Sequence, residues 1–327
     1  MRAAFVPEPG RIEVGDFPVP VAGAPGELVV RMERASICGS DVHTVFHGFH
    51  NAPRLGAPGY PGHEGVGVVV ESRSARFPAG VRVLTVPPGT DGGCFAEYQL
   101  IDDEHVVPLP GDGDPARLLM AQQYGTTLYS MRMFGPFPGT GTAAIIGAGS
   151  AGLFFLQQAV RLGFEHVVVS DLNAQRLAVA GGLGAGTLVH APGESLVDAV
   201  MDVTGGLGAD LVIEAAGYDA LRADAIAAVA VRGTAGFFGF PERYGMAQVP
   251  MFEAFRKIVR IQWAGGTQSE PGLVAFRDAV QDIHEGRIEV DYCLGPVHSL
   301  DDVPAAMEIA RDQGNGAVKL SVALGAV

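Results

Sequence analysis

Cysteine is scarce in this chain. Cys38, Cys94 and Cys293 are its only three thiols, and they lie far apart along 327 residues. An odd number of widely spaced cysteines cannot pair completely, so the sequence argues against the disulfide framework of a small secreted domain. Each thiol is left free for another role, of which metal binding is one.

The sequence also lacks targeting and membrane-spanning features. Residues 1–10 contain one arginine and the run Pro7-Glu8-Pro9, without the apolar core of a signal peptide. The most apolar segment, residues 143–156, is interrupted by glycines and is shorter than the roughly 18 residues that a membrane span needs. We therefore predict a cytoplasmic protein with no membrane partner.

Basic residues are few. The chain has 22 of them against 36 acidic residues, which gives a net charge of -14 at pH 7. No cluster of lysine or arginine stands out, and such a surface is a poor partner for nucleic acid or anionic membranes. Any bound nucleotide phosphate must then be held by backbone groups and a few local side chains.

Apolar residues, in contrast, are plentiful, and they follow two different patterns. With 48% hydrophobic residues, the chain can bury two cores, and its length favours two domains. Up to about residue 110, short strands separated by proline and glycine predict a compact β-barrel. The strands predicted there are residues 29–32, 65–70, 81–84 and 96–100.

The pattern then changes to alternating strands and helices, which predicts a doubly wound parallel sheet over residues 127–265. Its predicted strands are residues 143–146, 166–170, 187–190, 210–215, 234–239 and 258–264. A helix over 272–285 and a last strand over 317–322 follow. That strand has no place in a completed parallel sheet, so we assign residues 1–126 and 266–327 to one split domain and 127–265 to a domain inserted in it.

The first α/β unit of the inserted domain contains a glycine-rich turn. Residues 142–171 have the order strand, glycine turn, helix, strand and acid, which is typical of a dinucleotide-binding site. Phosphates would lie on the free N–H groups at the start of the helix. The cofactor-binding residues predicted from this turn are Gly147, Gly149, Ser150, Ala151 and Gly152.

The acid that ends the second strand is Asp171, 24 positions after Gly147. Its carboxylate would accept hydrogen bonds from the adenosine ribose hydroxyls and would repel a 2′-phosphate, so we predict NAD rather than NADP. Arg176 is the open alternative. Its side chain could swing toward a phosphate, or it could be an ordinary solvated helix residue.

Two short patches of the first domain contain metal-binding residue types. They are Cys38-Gly39-Ser40-Asp41-Val42-His43 and Gly62-His63-Glu64-Gly65. A thiolate, an imidazole and a carboxylate from separate loops are the ligand types that zinc prefers. In this order, together with the glycine turn and Asp171, the patches resemble the zinc-dependent medium-chain alcohol and polyol dehydrogenases over essentially the full length of the chain.

The resemblance implies a GroES-like β-barrel catalytic domain with an inserted Rossmann domain and an active site in the cleft between them. It makes Cys38 and His63 direct zinc ligands, and Glu64 either a ligand or the carboxylate behind the metal. It gives Asp41 the role of orienting the ring of His63. One catalytic zinc ion and NAD are the implied cofactors.

The same resemblance assigns the residues around the substrate. Ser40 would hydrogen-bond the alcohol on zinc, His43 would form the outer end of a proton relay, and Thr126 would pack beneath the nicotinamide. Where the family offers a third ligand, a cysteine or glutamate, this chain has Gln122, whose neutral amide binds zinc more weakly. The lobe of four cysteines that holds a structural zinc in many relatives is missing, so no structural zinc is expected.

These observations predict an NAD-dependent alcohol dehydrogenase-like enzyme. Hydride would pass between an alcohol, with a secondary alcohol favoured, or its ketone or aldehyde and NAD(H). The alternative within the superfamily is a zinc-independent NAD(P)H-dependent enone or quinone reductase, which Gln122 favours. A non-catalytic dinucleotide-binding redox sensor is another alternative, but it leaves Ser40 and His43 unexplained. By resemblance the protein is a homodimer or homotetramer, with residues 258–264 extending a sheet between subunits.

Overall fold

The computed structural model of the protein describes residues 1–89, 91–137 and 141–325. Positions 90, 138–140 and 326–327 of the two predicted domains lie outside the described residues. The chain divides into two compact units. One is formed by Met1–Thr126 and Gly266–Val327, and the other by Thr127–Gly265.

The strands and helices are numbered separately, each in chain order. The strands are β1 (Arg2–Glu8), β2 (Arg11–Asp16), β3 (Glu27–Ile37), β4 (Glu64–Ser72), β5 (Arg82–Thr85), β6 (Tyr98–Asp102), β7 (Val106–Pro108), β8 (Thr142–Ile146), β9 (His166–Asp171), β10 (Thr187–His190), β11 (Ala209–Glu214), β12 (Val229–Phe237), β13 (Arg260–Trp263), β14 (Val297–Ser299) and β15 (Leu320–Ala323). The helices are α1 (Gly39–Phe46), α2 (Pro115–Leu119), α3 (Ala121–Phe134), α4 (Ser150–Arg161), α5 (Ala174–Gly182), α6 (Leu196–Val203), α7 (Asp219–Ala228), α8 (Met251–Lys257), α9 (Val274–His284) and α10 (Val303–Arg311).

The first unit is built around a mainly antiparallel sheet. Within its described residues, seven strands form this sheet in the order β14-β15-β3-β4-β5-β7, with β6 also paired to β3. Leu28, Val30 and Met32 of β3 alternate along the strand and are completely buried. They face one side of the strand because its side chains alternate with a period of two, and they anchor the core of this unit.

The end of β3 is where remote chain segments meet. The last strand, β15, pairs antiparallel with β3, so Leu320 lies opposite Ile37. β3 also pairs with β4, and there Ser36 lies opposite Glu64. The sheet register therefore brings residues near 36, 64 and 320 together, directly beside the start of α1.

The second unit contains a parallel sheet. Within its described residues, six strands lie in the order β10-β9-β8-β11-β12-β13. In the middle of the sheet, Ile145 of β8 lies opposite Val169 of β9 and Ile213 of β11, and all three are fully buried. Such continuous apolar strands are typical of parallel sheets covered on both faces. The strand order changes direction at β8, where open α/β sheets bind their ligands.

These two sheets confirm the predicted fold class, a GroES-like domain with an inserted doubly wound domain. Several strand boundaries were wrong. β3 extends from Glu27 to Ile37 where the sequence predicted residues 29–32, and β15 begins at Leu320 where it predicted a start at residue 317. β12 begins at Val229 and ends at Phe237, whereas the sequence predicted residues 234–239. Gly239 instead lies in a turn against Gly217, where an added Cβ would come within 2.2 Å of the Gly217 nitrogen. In the part of the chain that the structure describes, no helix has the length and apolarity needed to cross a bilayer.

Candidate metal and dinucleotide sites

Asp41 is the residue that fixes the two strongest metal-ligand candidates. It lies in the first turn of α1, and its side chain is almost completely buried. One carboxylate oxygen accepts a hydrogen bond from the backbone N–H of Cys38 at 2.9 Å, and the other lies 2.7 Å from Nδ1 of His63. A single carboxylate therefore holds the Cys38 backbone and the His63 ring in place.

The His63 ring presents its other nitrogen to the site. Because Nδ1 bonds Asp41, Nε2 is the nitrogen available to a ligand, and it lies 3.4 Å from the hydroxyl oxygen of Ser40. Burial lowers the pKa of His63, but the charge of Asp41 and its hydrogen bond outweigh burial and hold the pKa well above its ordinary value near 6.5. Binding of a metal at Nε2 would therefore displace a proton.

Glu64 belongs to a buried ion pair. The ammonium of Lys319 lies 2.8 Å from one carboxylate oxygen and 2.6 Å from the other, and the hydroxyl of Ser36 donates to the second. Both charged side chains are almost fully buried, at 1% exposure for Glu64 and 2% for Lys319. Burial opposes charge on each, but Lys319 lowers the pKa of Glu64 and Glu64 raises the pKa of Lys319.

Two consecutive glutamines at the start of α3 contact different groups near Cys38, His63 and Lys319. The amide nitrogen of Gln122 donates to the backbone oxygen of His63 at 3.3 Å. The amide oxygen of Gln123 accepts from Lys319 at 3.3 Å and lies 3.8 Å from the sulfur of Cys38. Gln123 thus occupies the position next to the thiol that the sequence analysis gave to Gln122.

Thr126, predicted to lie beneath the nicotinamide, supports Gln123. Its hydroxyl donates to the backbone oxygen of Gln123 at 2.7 Å, and the amide nitrogen of Gln123 lies 3.2 Å from the same hydroxyl oxygen. The side-chain amide is therefore oriented with its oxygen toward Cys38 and Lys319. Gln123, Lys319 and Ser36 are residues that the sequence analysis did not identify.

The positions of Cys38, His63 and Glu64 can be compared with those that a zinc ion requires. A Cys38 sulfur, a His63 ring nitrogen and a Glu64 carboxylate oxygen all lie within 4.8 Å of one another. The thiol and the imidazole fit a zinc ion. Both oxygens of Glu64 bond Lys319, so Glu64 would have to give up one of these contacts to become a ligand.

His43 lies near the end of the same helix and is half-buried. Its Nδ1 is 3.3 Å from Nδ1 of His47, and its ring meets that of Phe49 edge to face at 5.7 Å. Burial, and then the neighbouring His47, lower the pKa of His43 to about 4. The ring is consequently neutral at neutral pH.

In the second unit, the glycine turn joins β8 to α4. Gly147 has a φ of +100°, a conformation that glycine adopts readily. Gly152 packs so closely that an added Cβ would lie 1.8 Å from the oxygen of Gly147. At Gly149 an added Cβ would meet nothing within 4 Å, and Ser150 and Ala151 follow as the first residues of α4. The turn is therefore open at Gly149, where a pyrophosphate would need room.

Asp171 ends β9 beside this turn. One carboxylate oxygen accepts from the N–H of Ala148 at 2.6 Å, and the other accepts from the N–H of Asn173 at 2.8 Å. A carboxylate has about four acceptor positions, so two further hydrogen bonds can be made to a ribose. Arg176 follows in α5; burial lowers its pKa, and the charge of Asp171 opposes that shift.

Family models match both units. Residues 24–111 match the alcohol dehydrogenase GroES-like domain, and residues 151–285 match the zinc-binding dehydrogenase domain. An alcohol dehydrogenase from Cupriavidus necator is 26% identical, with 98% of each chain covered. An L-threonine 3-dehydrogenase from Bacillus velezensis is 27% identical over 83% of this chain and 90% of its own.

A solved structure shows the same fold. A putative zinc-binding dehydrogenase from Sinorhizobium meliloti 1021, bound to NADP, has a TM-score of 0.85 with 24% identity and 98% of each chain covered. Together the two family models cover more than half of this chain. The chain belongs to the zinc-dependent, alcohol dehydrogenase-like superfamily of medium-chain dehydrogenases/reductases and is an oxidoreductase.

Proposed function

We propose that this protein interconverts a small alcohol, preferably a secondary one, and its carbonyl form with NAD as the hydride carrier. The observation behind the proposal is the buried carboxylate of Asp41, which holds both Cys38 and His63. These two residues would bind the zinc ion, and Gln122, Gln123 and Glu64 are the candidates to complete its coordination. When bound, zinc would polarise the substrate oxygen, and NAD would accept hydride.

The chain's own residues would then position the substrate and move its proton. Asp41 keeps Nδ1 of His63 occupied, so that Nε2 is the nitrogen left to bind the metal. The Ser40 hydroxyl, 3.4 Å from that Nε2, can accept a hydrogen bond from a substrate hydroxyl and take its proton while giving up its own. The neutral ring of His43 is the candidate to take the proton onward to solvent.

NAD is preferred over NADP in this proposal because of Asp171. Its negative charge lies at the end of β9, where a 2′-phosphate would be repelled. The NADP in the Sinorhizobium meliloti structure shows that this fold also accommodates the phosphorylated cofactor. A comparison of the two cofactors at equal concentration is therefore part of any activity assay.

The metal content of the purified protein tests the central claim. We expect about one zinc ion per chain in the wild type and its loss in Cys38→Ser. Cys293→Ser is the matched control, because Cys293 is a buried thiol of the same unit that is not among the candidate zinc ligands. A screen of alcohols with NAD would then show activity in the wild type and the control but not in Cys38→Ser. Equal zinc content in all three proteins would contradict the assignment of Cys38.

A second candidate function is the zinc-independent reduction of an activated double bond or quinone. The specific observation in its favour is that both oxygens of Glu64 bond Lys319 and that neutral amides stand at positions 122 and 123. This candidate predicts no zinc after expression with added zinc, and reduction of enones with NADH or NADPH that a chelator leaves unchanged.

We also propose that the protein assembles as a homodimer or homotetramer through its second unit. Among the described strands of that unit, β13 lies at an edge of the parallel sheet. Large apolar side chains near it are exposed, including Phe252 at 73%, Phe255 at 78% and Trp263 at 54%. A second copy pairing along β13 would cover them. Sedimentation of the wild type and of Phe255→Glu tests this: the variant is expected to shift toward monomer.

A further inference from the structure

Two histidines near the end of α1 face each other. His43 and His47 are four residues apart, which places them on the same side of a helical turn. Their Nδ1 atoms are 3.3 Å apart, and their ring centroids are 4.8 Å apart with an interplanar angle of 84°. His43 is half-buried and His47 is exposed, so solvent reaches the pair.

The backbone around the pair is well defined. The oxygen of His43 accepts hydrogen bonds from the N–H of His47 at 3.0 Å and from the N–H of Phe49 at 3.3 Å. Gly48 between them has a φ of +82°, which lets the chain turn back sharply. The edge of Phe49 meets the His43 ring. The two rings are thus supported on one tight turn.

The separation of the two nitrogens suits a metal ion. Two ligands about 2.0 to 2.1 Å from a tetrahedral zinc lie about 3.3 to 3.4 Å apart. Histidines at i and i+4 of a helix are a recurring zinc-binding pair, and imidazole also suits nickel and copper. The structure points to a second metal site: we propose that His43 and His47 together bind a divalent transition metal such as zinc, with water completing the coordination.

This site is distinct from the one at Cys38. The cluster of Cys38, His63 and Glu64 does not include either histidine of the pair. The simpler explanation of the short distance is an N–H···N hydrogen bond between the rings, and the experiment must separate the two.

Metal binding at the pair would have a functional consequence, which rests on the proposed function. If His43 passes the substrate proton to solvent, a metal on its Nδ1 removes the ring from that role. Zinc beyond the amount bound at Cys38 would then inhibit the enzyme. The inhibition would be reversed by a chelator and would need His47, a residue with no assigned catalytic role.

The test is a zinc titration of the full-length protein, already loaded at its central site, against a chromophoric zinc indicator. We expect one additional zinc per chain in the wild type, with micromolar affinity. His47→Ala should bind it at least roughly tenfold more weakly, because even indirect supporting partners of a metal ligand are worth 10–100-fold. His166→Ala, which removes an exposed histidine of the second unit, should behave as the wild type.

Nuclear magnetic resonance of the histidine ring protons identifies the ligands. Zinc should shift the ring signals of both His43 and His47 in the wild type. The extra zinc should persist in Cys38→Ser, so failure of the proposed catalytic site leaves this result unchanged. Two outcomes would overturn the proposal: no additional zinc at 100-fold excess of metal over protein, which leaves only a hydrogen bond between the rings, or full retention of it in His47→Ala.

Discussion

The glycine turn of the second unit and a polar cluster in the first unit are built in opposite ways. The cluster around Cys38 consists of Cys38, Asp41, His63, Glu64, Gln123 and Lys319. At the turn, residues 147–152 and Asp171 are close in sequence, and their contacts are to backbone groups, as in the bond from Ala148 N–H to Asp171. Around Cys38, side chains contact side chains, and the ion pair of Glu64 and Lys319 joins residues 255 positions apart.

The difference has energetic consequences. A backbone-built anion site needs glycines and a helix start, and it buries no unpaired charge. The cluster around Cys38 contains two opposite charges that are almost fully removed from water, so each depends on its partner. We expect mutations in the cluster to affect folding as much as chemistry, and mutations at the turn to affect mainly the choice of cofactor.

Replacement of Lys319 removes the buried ammonium and is expected to have the largest effect of the substitutions that compare the cluster with the glycine turn. Lys319→Met leaves the carboxylate of Glu64 buried without its counter-charge. We expect the free energy of unfolding to fall by about 3–5 kcal/mol, the usual cost of breaking a buried ion pair. Urea denaturation followed by circular dichroism measures it.

The controls for this prediction come from the same chain. Lys257→Met removes the only other lysine, which is less buried and pairs with Glu253 on α8. Its expected cost is about 1 kcal/mol. The double variant Lys319→Met/Glu64→Gln should regain most of the lost stability, since no charge is then buried alone. Equal losses for the single and double variants would show that the ion pair is not the cause.

The fold was predictable because both sheets depend on local patterns. The apolar run of β8, the glycines and Asp171 lie within 30 residues, and their spacing alone indicated strand, turn, helix and acid. The short strands of the first unit likewise followed from alternation and turn residues. Several strand boundaries were wrong. At the end of β12 the reason is the close approach of Gly239 to Gly217, which is a tertiary contact.

The candidate site was predictable only in part. Cys38, Asp41 and His63 belong to short motifs, so the sequence indicated them. Lys319 was missed because it reaches Glu64 through the pairing of β15 with β3, which no local pattern specifies. A signal existed: Lys319 is one of two lysines in the chain and is the one charged residue in residues 317–324, which are otherwise apolar apart from Ser321.

The choice between Gln122 and Gln123 shows a different limit. Neighbouring residues of a helix differ by about 100° in direction, so one position of error changes which side chain faces a site. α3 begins at Ala121, directly before both glutamines, and its phase depends on packing in the core of the unit. The sequence contains both candidates and no local feature that separates them.

These two glutamines give a sharper test of the cluster. Gln123→Glu places a carboxylate where the amide oxygen now lies, 3.8 Å from the Cys38 sulfur. We expect zinc to bind at least about tenfold more tightly, because carboxylate is a better zinc ligand than a neutral amide. Competition with a chelator of known affinity measures the change.

Gln122→Glu is the matched control for that substitution. Its side chain contacts the backbone oxygen of His63, which a carboxylate would repel. No gain in zinc affinity is expected there. If Gln122→Glu tightens zinc binding and Gln123→Glu does not, Gln122 is the residue that faces the metal, as the sequence analysis predicted.

At the turn, the corresponding change is Asp171→Asn, which removes a charge and keeps an acceptor for the Ala148 N–H. We expect the preference for NAD over NADP to fall about tenfold, because a charge-assisted hydrogen bond becomes a neutral one and the repulsion of a 2′-phosphate disappears. The ratio of kcat/KM for the two cofactors reports it. Arg176→Gln in the same background tests whether that guanidinium then binds the phosphate.

The free energy of unfolding should be less sensitive to substitutions at the glycine turn than to substitutions in the cluster around Cys38. Asp171→Asn is expected to change the urea midpoint far less than Lys319→Met does, since the nearby charge of Arg176 is only half-buried, whereas Lys319 is almost fully buried. A loss of several kcal/mol in Asp171→Asn would remove the distinction between the two regions.

The smallest expected effect is a pH dependence of the zinc-free protein. Asp41 raises the pKa of His63 in the folded state above its ordinary value near 6.5, against the lowering effect of burial. A group with a raised folded pKa adds stability that is fully present below its unfolded pKa and is lost as pH rises through the folded pKa. The chelator-treated wild type should therefore lose stability as pH rises above 6.5.

Asp41→Asn should flatten that dependence, because the amide has no charge to hold the proton on His63. Asp302→Asn is the control, since the pKa of that exposed acid is lowered by Ser299 and it stays ionised throughout the range from pH 6 to 9. Urea midpoints across that range distinguish the three proteins. If the urea midpoint of Asp41→Asn falls with pH as steeply as that of the wild type, the titrating group lies outside the Asp41–His63 pair. The pH dependence of stability would then come from charges other than that of Asp41.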